Sequence, residues 1–220
     1  MQATQRLILC SVLCLGAQAA FAAPAPPAVT PAPPAAADAD AAPRPSFDCA
    51  KAAGKVQRYI CSDASIARLD RAIARAYAKG MAKESAWTLA DRALQRTAQR
   101  KWISDRDACS RRKDIAPCVA DSYHRRLAEL RILNDEAGRA TTAHYRCKEL
   151  GSTPVSAAFY ADLDPPAALV AVGARRVVTF VATSGSGARY TTRGVELWEH
   201  QGHATLQWYG ARYECTIEGH

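Results

Sequence analysis

The first half of the chain has apolar residues at helical spacing. One set recurs at intervals of three and four: Ile66, Leu69, Ile73 and Tyr77. A second set repeats the pattern: Val119, Tyr123, Leu127 and Leu130. Each set predicts an amphipathic helix that buries one stripe and exposes arginine and lysine elsewhere. Ser65 is the predicted N-cap of the first helix. A third helix, continuing through Trp102 toward Cys109, is predicted between them from Trp87, Ala90, Leu94 and Ala98.

From Thr141 onward the period changes to two, which predicts short β-strands. The apolar residues that share strand faces are Val178, Phe180 and Ala182, then Val195 and Leu197, then Ala204, Leu206 and Trp208, then Tyr213, Cys215 and Ile217. Glycines separate these runs. Consecutive antiparallel strands usually close into a sandwich or a small barrel, because exposed edges are hazardous. The predicted fold class is α + β in two separate domains, a small helical bundle followed by an antiparallel β-structure.

The N-terminus has the pattern of a secretory signal peptide over residues 1–22. Arg6 precedes the apolar run 7–15, which is too short to span a bilayer, and Ala20-Phe21-Ala22 resembles a cleavage site. A lipoprotein signal places a small residue before its cysteine, whereas leucine precedes both Cys10 and Cys14. We therefore expect a periplasmic protein, with lipoprotein anchoring as the less favoured alternative.

Residues 23–45 contain eight of the chain's 12 prolines, with many alanines. Such a segment has too few apolar side chains to offset its ordering entropy and tends toward extended conformations. It is predicted to be a linker between the signal peptide and two domains, at 46–134 and 140–220.

Six cysteines remain after the signal peptide, an even number that predicts disulfides in a secreted chain. They are Cys49, Cys61, Cys109, Cys118, Cys147 and Cys215. Fifteen connectivities are formally possible, but the spacing favours two local loops, 49–61 and 109–118, and a long link from 147 to 215. The sequence has no Cys-x-x-Cys pair, and His124 and His144 have no ligand partner at zinc spacing. We expect neither a metal nor a cofactor.

Charge divides the chain at the same place. Residues 46–133 contain nineteen lysines and arginines against ten acidic residues, whereas residues 140–220 contain seven of each. A basic helical half would favour an anionic envelope surface such as phospholipid, lipopolysaccharide or wall polymer, although solvated helix faces alone can have such charges. The secretory signal argues against nucleic acid as a partner.

The C-terminal half resembles the membrane-bound and periplasmic inhibitors of c-type lysozyme. The resemblance extends from Tyr145-Arg146-Cys147 to Tyr213-Glu214-Cys215 and depends on the segments 184–190 and 198–206. It implies a small β-barrel and c-type lysozyme as the partner. The lysozyme-binding residues that it implies are Ser186, Gly187, Arg189, Tyr190, Trp198 and His200.

The roles of these residues follow from the target, because a lysozyme cleft presents two carboxyl groups. Ser186 is expected to hydrogen-bond to a catalytic carboxyl, Tyr190 to fix the base of the loop, and Arg189 and His200 to supply positive charge. The family has a lysine where this chain has His200. An ordinary Gly-Ser turn and a solvated strand arginine are the alternatives at Ser186 and Arg189.

The N-terminal half resembles the LprI-like envelope domain, which is named for a lysozyme inhibitor lipoprotein. The matching segments are Phe47-Asp48-Cys49-Ala50-Lys51, Tyr59-Ile60-Cys61, Leu69-Asp70, Gln99-Arg100-Lys101-Trp102, Arg106-Asp107-Ala108-Cys109 and Cys118 to Arg126. The resemblance covers most of residues 47–133.

The two resemblances predict a protein inhibitor of c-type lysozyme, and not an enzyme. The inhibitor is expected to insert the loop Ser184–Tyr190 into the active-site cleft and so to protect peptidoglycan. The sequence has no nucleophile elbow or metal pair that would favour catalysis. An envelope adaptor that binds anionic surfaces through its helical half is the alternative function.

Overall fold

The computed structural model describes residues 43–219, so the predicted signal peptide and nearly all of the predicted linker lie outside the described residues. The described part has four α-helices followed by eight strands, which confirms the predicted fold class. The helices are α1 (Lys55–Ser62), α2 (Ala64–Met81), α3 (Leu89–Asp107) and α4 (Ala116–Leu133). None of the helices in residues 43–219 is long and apolar enough to cross a membrane.

Helices α2 and α4 form the core of the bundle through the two predicted stripes. Ile66 and Ile73 of α2 are buried with Tyr123 and Leu130 of α4 in one apolar cluster. The three-and-four spacing therefore predicted the buried faces of both helices correctly.

The N-cap of α2 is Asp63 and not Ser65. The Asp63 carboxylate accepts hydrogen bonds from the backbone N–H groups of Ser65 and Ile66, at 2.9 and 3.1 Å. Ser65 lies inside the helix and donates its hydroxyl hydrogen to Asp63 at 2.6 Å. The predicted cap was two residues too late, because aspartate and serine are both good caps and only the backbone distinguishes them.

Helix α3 exists, but its predicted apolar stripe is wrong. Trp87 precedes the helix, Ala90 is exposed, and Leu94 is 67% exposed. The side that faces α4 combines Trp102, whose ring packs edge-on against that of Tyr123, with polar residues. Gln99 accepts hydrogen bonds there from the guanidinium of Arg126, at 2.8 and 3.1 Å. A buried arginine on α4 requires acceptors on its neighbour, and apolar spacing cannot reveal that requirement.

The eight strands form a closed antiparallel barrel in sequence order, with β1 paired to β8. They are β1 (Thr141–Cys147), β2 (Val155–Tyr160), β3 (Ala167–Val172), β4 (Arg175–Ala182), β5 (Ala188–Thr192), β6 (Val195–His200), β7 (His203–Trp208) and β8 (Ala211–Ile217). The residues predicted to share faces of the last three strands line the barrel core, among them Val195, Leu197, Ala204, Leu206 and Trp208.

All three predicted disulfides are present. Cys49 bonds to Cys61, Cys109 to Cys118, and Cys147 to Cys215. Cys147 and Cys215 are also paired in register between β1 and β8, so this bond lies across the seam that closes the barrel.

Strand β4 is buried on both faces. Val178 and Phe180 share a face, as predicted, and this face packs against Ala128 and Ile132 of α4. On the other face Thr179 is completely buried and donates a hydrogen bond to the carbonyl of Ala168 at 3.0 Å. Helix α4 therefore covers one side of the barrel. The domain boundaries at 46–134 and 140–220 stay predictions.

Candidate functional site

The candidate site is the loop 183–187, which connects β4 to β5 at one end of the barrel. Gly187 has a φ of +70°, and a Cβ atom at this position would lie 2.1 Å from the carbonyl oxygen of Glu199 on β6. Only glycine accommodates both the left-handed backbone and this close approach. Gly185, by contrast, has open space around it. The loop is thus fixed to β6 at its C-terminal end.

Two side chains hold the tip of this loop. The Ser184 hydroxyl donates to the carbonyl oxygen of Ser186 and accepts from the Ser186 N–H, the latter at 3.2 Å. The indole N–H of Trp198 donates to the same Ser186 carbonyl at 2.9 Å. Within residues 43–219 the Ser186 hydroxyl itself has no hydrogen-bond partner, and the residue is exposed. The loop therefore presents a free hydroxyl on a backbone that is restrained from both sides.

A polar group inside the barrel supports the base of the loop. Glu199 lies on the same face of β6 as the interior residues Val195 and Leu197, and it accepts a hydrogen bond from the Tyr145 hydroxyl at 2.8 Å. Burial, together with this bond to Glu199, raises the pKa of Tyr145 well above its ordinary value. The phenol therefore stays protonated and remains a donor. Sequence analysis missed this pair, and the only available signal was the acidic residue at an inward position of β6.

Tyr190 lies in β5, three residues after the end of the loop. Its ring packs against the barrel core with its centroid 5.2 Å from that of Phe159. Burial raises the pKa of Tyr190, and the nearby Glu199 raises it further. Tyr190 is therefore a neutral, partly buried side chain of β5.

Arg189 lies on the outer face of β5, in register with Trp198 on β6. Its guanidinium forms an ion pair with Glu196 at 2.6 Å, and its side chain remains 41% exposed. The expected positive charge is therefore present at the surface, but Glu196 compensates part of it. Sequence analysis did not identify Glu196, although β6 places it two residues before Trp198 on the same face.

His200 is the last residue of β6 and is exposed beside the loop. The Cβ of His200 lies 3.1 Å from the point where a side chain on Gly187 would begin. His200 pairs in register with His203 across a tight hairpin. The structure thus brings all six sequence-predicted residues to the β4–β5 loop and the two strands beside it, and adds His203, Glu196, Glu199 and Tyr145.

The described residues contain no group of three or more side chains that could hold a metal ion. The arrangement at the loop consists of hydroxyl, indole, imidazole and guanidinium groups on a projecting turn. Its chemistry suits the formation of hydrogen bonds and ion pairs with an acidic groove.

Two comparisons with known proteins identify the family. The family model described as "Membrane-bound lysozyme-inhibitor of c-type lysozyme" matches residues 145–214, from β1 to β8 of the barrel. Lipoprotein LprI of Mycobacterium tuberculosis and that of Mycobacterium bovis are each 36% identical to this chain over 170 residues, which cover 77% of this chain and 83% of the relative. The chain belongs to the LprI family. Both resemblances predicted from the sequence are confirmed, and the family match to inhibitors supports the prediction that the chain is not an enzyme. No solved structure matches the chain.

Proposed function

We propose that this LprI-family protein inhibits c-type lysozyme by inserting its β4–β5 loop into the active-site cleft, and so protects peptidoglycan. The family description supports lysozyme as the target. The observation that supports the loop as the inhibitory element is the exposed Ser186 hydroxyl on a turn that Trp198 and Ser184 restrain. An inhibitor gains affinity when its contact residues are ordered before binding, because less conformational entropy is lost in the complex.

The chemistry of the cleft matches the groups around the loop. A lysozyme cleft contains one carboxyl group that is kept protonated and one that is ionised. The Ser186 hydroxyl can accept a hydrogen bond from the first or donate one to the second. Arg189 and His200 lie on the flanking strands and would add positive charge opposite the ionised carboxylate.

The test is a turbidity assay of bacterial wall clearing by a c-type lysozyme. We expect the disulfide-bonded chain to slow clearing in proportion to its concentration, and Ser186→Glu to abolish the effect because the new carboxylate would face the acidic cleft. The matched control is Ser152→Glu, an exposed serine in the loop between β1 and β2 at the other end of the barrel. Equal inhibition by the two variants would contradict the proposed role of the loop.

We also infer that the protein is located in the cell envelope, as a soluble periplasmic protein released by cleavage after residue 22. The matched family is described as membrane-bound, and the relatives are lipoproteins. The mass of the N-terminal peptide of protein purified from its own host distinguishes the two forms. An unmodified peptide beginning at Ala23 supports a soluble protein, whereas a lipid-modified cysteine overturns it.

The basic face of α2 favours a second function, binding to an anionic envelope surface. Arg68, Arg71 and Arg75 are all exposed along one side of this helix. None of the three forms an ion pair with any residue in the part of the chain that the structure describes. Flotation with anionic phospholipid vesicles tests this function. Binding that falls with salt and is lost in Arg68→Gln/Arg71→Gln/Arg75→Gln supports it, and identical flotation of this variant and the parent chain contradicts it.

A further inference from the structure

A cavity of about 440 Å³ lies in the helical bundle, away from the barrel. It is bordered by the segment that precedes α1, by α2 and by α3, and this volume is within the usual range of small-ligand sites. The residues that line it include Phe47, Asp48, Asp70, Gln99, Trp102 and Arg106. Each of these residues belongs to a segment on which the LprI-like resemblance of the helical half depends, and the proposed lysozyme contacts use none of them.

Asp70 is a buried carboxylate at this cavity. It is 4% exposed, accepts hydrogen bonds from the Tyr123 hydroxyl at 2.8 Å and from the Ser46 N–H at 2.6 Å, and lines the cavity wall. No cationic side chain in residues 43–219 lies within ion-pair distance of it. A buried carboxylate without a cationic partner is costly, and a positively charged group in the cavity would offset that cost.

Arg106 supplies the opposite charge on the same cavity. It is 6% exposed, forms an ion pair with Asp107 through Nε and Nη2, and donates from Nη1 to the Tyr123 oxygen, at distances of 2.9 to 3.2 Å. A guanidinium has five N–H groups, so two remain for an acceptor in the cavity. Burial raises the pKa of Tyr123, which keeps this phenol protonated between the two charges.

The remaining walls of the cavity are apolar or balanced in charge. Phe47, Ile73, Trp102 and Ile103 provide apolar surface. The Trp102 ring lies 5.2 Å from the Arg106 guanidinium and fixes its orientation. The charged residues that line the site are two carboxylates, Asp48 and Asp70, and two cations, Lys51 and Arg106. The lining therefore does not favour a purely anionic or a purely cationic ligand over a ligand that has both charges.

We propose that this cavity binds a small zwitterion with an apolar side chain, either a free α-amino acid or a short peptide with free ends. Its ammonium group pairs with Asp70, its carboxylate with Arg106, and its side chain lies against Trp102. This site does not depend on lysozyme inhibition by the barrel.

The first test uses NMR of the ¹⁵N-labelled full chain with three probes of nearly the same shape. L-leucine has both charges, 4-methylpentanoate lacks the ammonium group, and 3-methylbutylamine lacks the carboxylate. We expect saturable shifts of the Trp102 indole N–H and of amides around the cavity with L-leucine, and binding weaker by about tenfold or more for each analogue. The dipeptide Leu-Leu distinguishes a free amino acid from a short peptide as the natural ligand. Tighter binding of L-leucine indicates the amino acid, and tighter binding of Leu-Leu indicates the peptide. Equal binding of 4-methylpentanoate and L-leucine, or no saturable shift with either leucine or Leu-Leu, overturns the proposal.

Variants locate the site. Ala74 lines the cavity on α2, whereas Ala78 is exposed on the same helix outside it. Ala74→Leu should abolish leucine binding and Ala78→Leu should leave it unchanged. Asp70→Asn should weaken leucine by about tenfold without changing the affinity for 4-methylpentanoate, a selective effect that simple loss of stability would not produce. Unchanged leucine affinity in Ala74→Leu would overturn the assignment.

Discussion

The indole N–H of Trp198 donates a 2.9 Å hydrogen bond to the carbonyl oxygen of Ser186, twelve residues earlier in the chain. This bond joins strand β6 to the tip of the β4–β5 loop. Sequence analysis placed Trp198 among the lysozyme contacts, and it is 39% exposed. The structure adds that Trp198 also determines the shape of the loop that presents Ser186.

Replacing Trp198 by phenylalanine should therefore weaken inhibition while most of the aromatic surface is retained. The loss of one hydrogen bond of this kind predicts an inhibition constant about three- to tenfold higher. Amide hydrogen exchange at Ser186 should become faster in the free variant, which separates loss of loop order from loss of a lysozyme contact. Unchanged exchange at Ser186 would mean that the indole bond does not restrain the loop.

The two glycines of the loop should respond differently to the same substitution. Gly187→Ala would force a Cβ against the Glu199 carbonyl at a positive φ, a conformation that costs alanine about 1–2 kcal/mol before any clash is counted. We expect inhibition to fall about tenfold or more. Gly185→Ala meets open space and should inhibit nearly as well as the parent chain. Equal inhibition constants for the two variants would contradict the observed role of Gly187.

Inhibition should depend on pH through His200. A histidine is positively charged in acid and neutral in base, whereas lysine stays charged across this range. If His200 faces a lysozyme carboxylate, the complex is favoured at acidic pH and weakens as the pH rises past neutrality. His200→Lys should remove this dependence. The groups of lysozyme also titrate, and they do so equally for both inhibitors. The measured quantity is therefore the inhibition constant of the parent chain divided by that of His200→Lys, on one lysozyme, between about pH 6 and about pH 8.

His203 is the control for that experiment, because it is also a histidine and pairs with His200 across the hairpin. His203→Gln should keep the pH dependence that His200→Lys removes. If His203→Gln flattens the profile and His200→Lys does not, the assignment to His200 is wrong.

Acid stability should depend on the Asp63 cap of α2. Hydrogen bonds from Ser65 and Ile66 lower the pKa of Asp63 from its ordinary value of 3.8 to about 2. A lowered pKa means that the ionised cap stabilises the folded state above about pH 4 and that this contribution disappears as the pH falls toward about 2. Asp63→Asn keeps a capping side chain that does not titrate. The difference in unfolding free energy between the parent chain and Asp63→Asn should therefore shrink as the pH falls from about 4 to about 2. Asp63→Ala should cost roughly 1 kcal/mol at neutral pH. If the difference between the parent chain and Asp63→Asn stays constant from neutral pH down to about 2, the ionised cap does not have this role.

The elements that the sequence predicted well are those with a one-sided apolar face. The stripes of α2 and α4 and the inward residues of β6, β7 and β8 recur with the period of their structure, and the cysteine spacing indicated the correct bonds. The stripe predicted for α3 was wrong because much of the face that packs against α4 is polar: beside Trp102, Gln99 accepts hydrogen bonds from Arg126. Burial of a polar face depends on the partner helix, and a pattern within one helix does not contain that information.

The sequence supplied the residues of the candidate site, which stay a prediction, but not their interactions. The resemblance gave Ser186, Trp198 and their neighbours, and the structure brings them together. The Glu199–Tyr145 bond and the Arg189–Glu196 ion pair were not predicted, because each joins strands whose register the sequence does not specify. The cavity between α2 and α3 was not predicted either, because the sequence does not specify how these two helices pack.

Occupation of the lysozyme cleft by the β4–β5 loop is the central claim, and competition with a cleft ligand tests it most directly. The affinity of the disulfide-bonded chain for c-type lysozyme is measured by calorimetry with and without a saturating chitin trisaccharide, which occupies the same cleft. We predict that the trisaccharide raises the apparent dissociation constant by a factor that grows linearly with its free concentration divided by its own dissociation constant. An affinity that does not change when the cleft is filled would contradict the account.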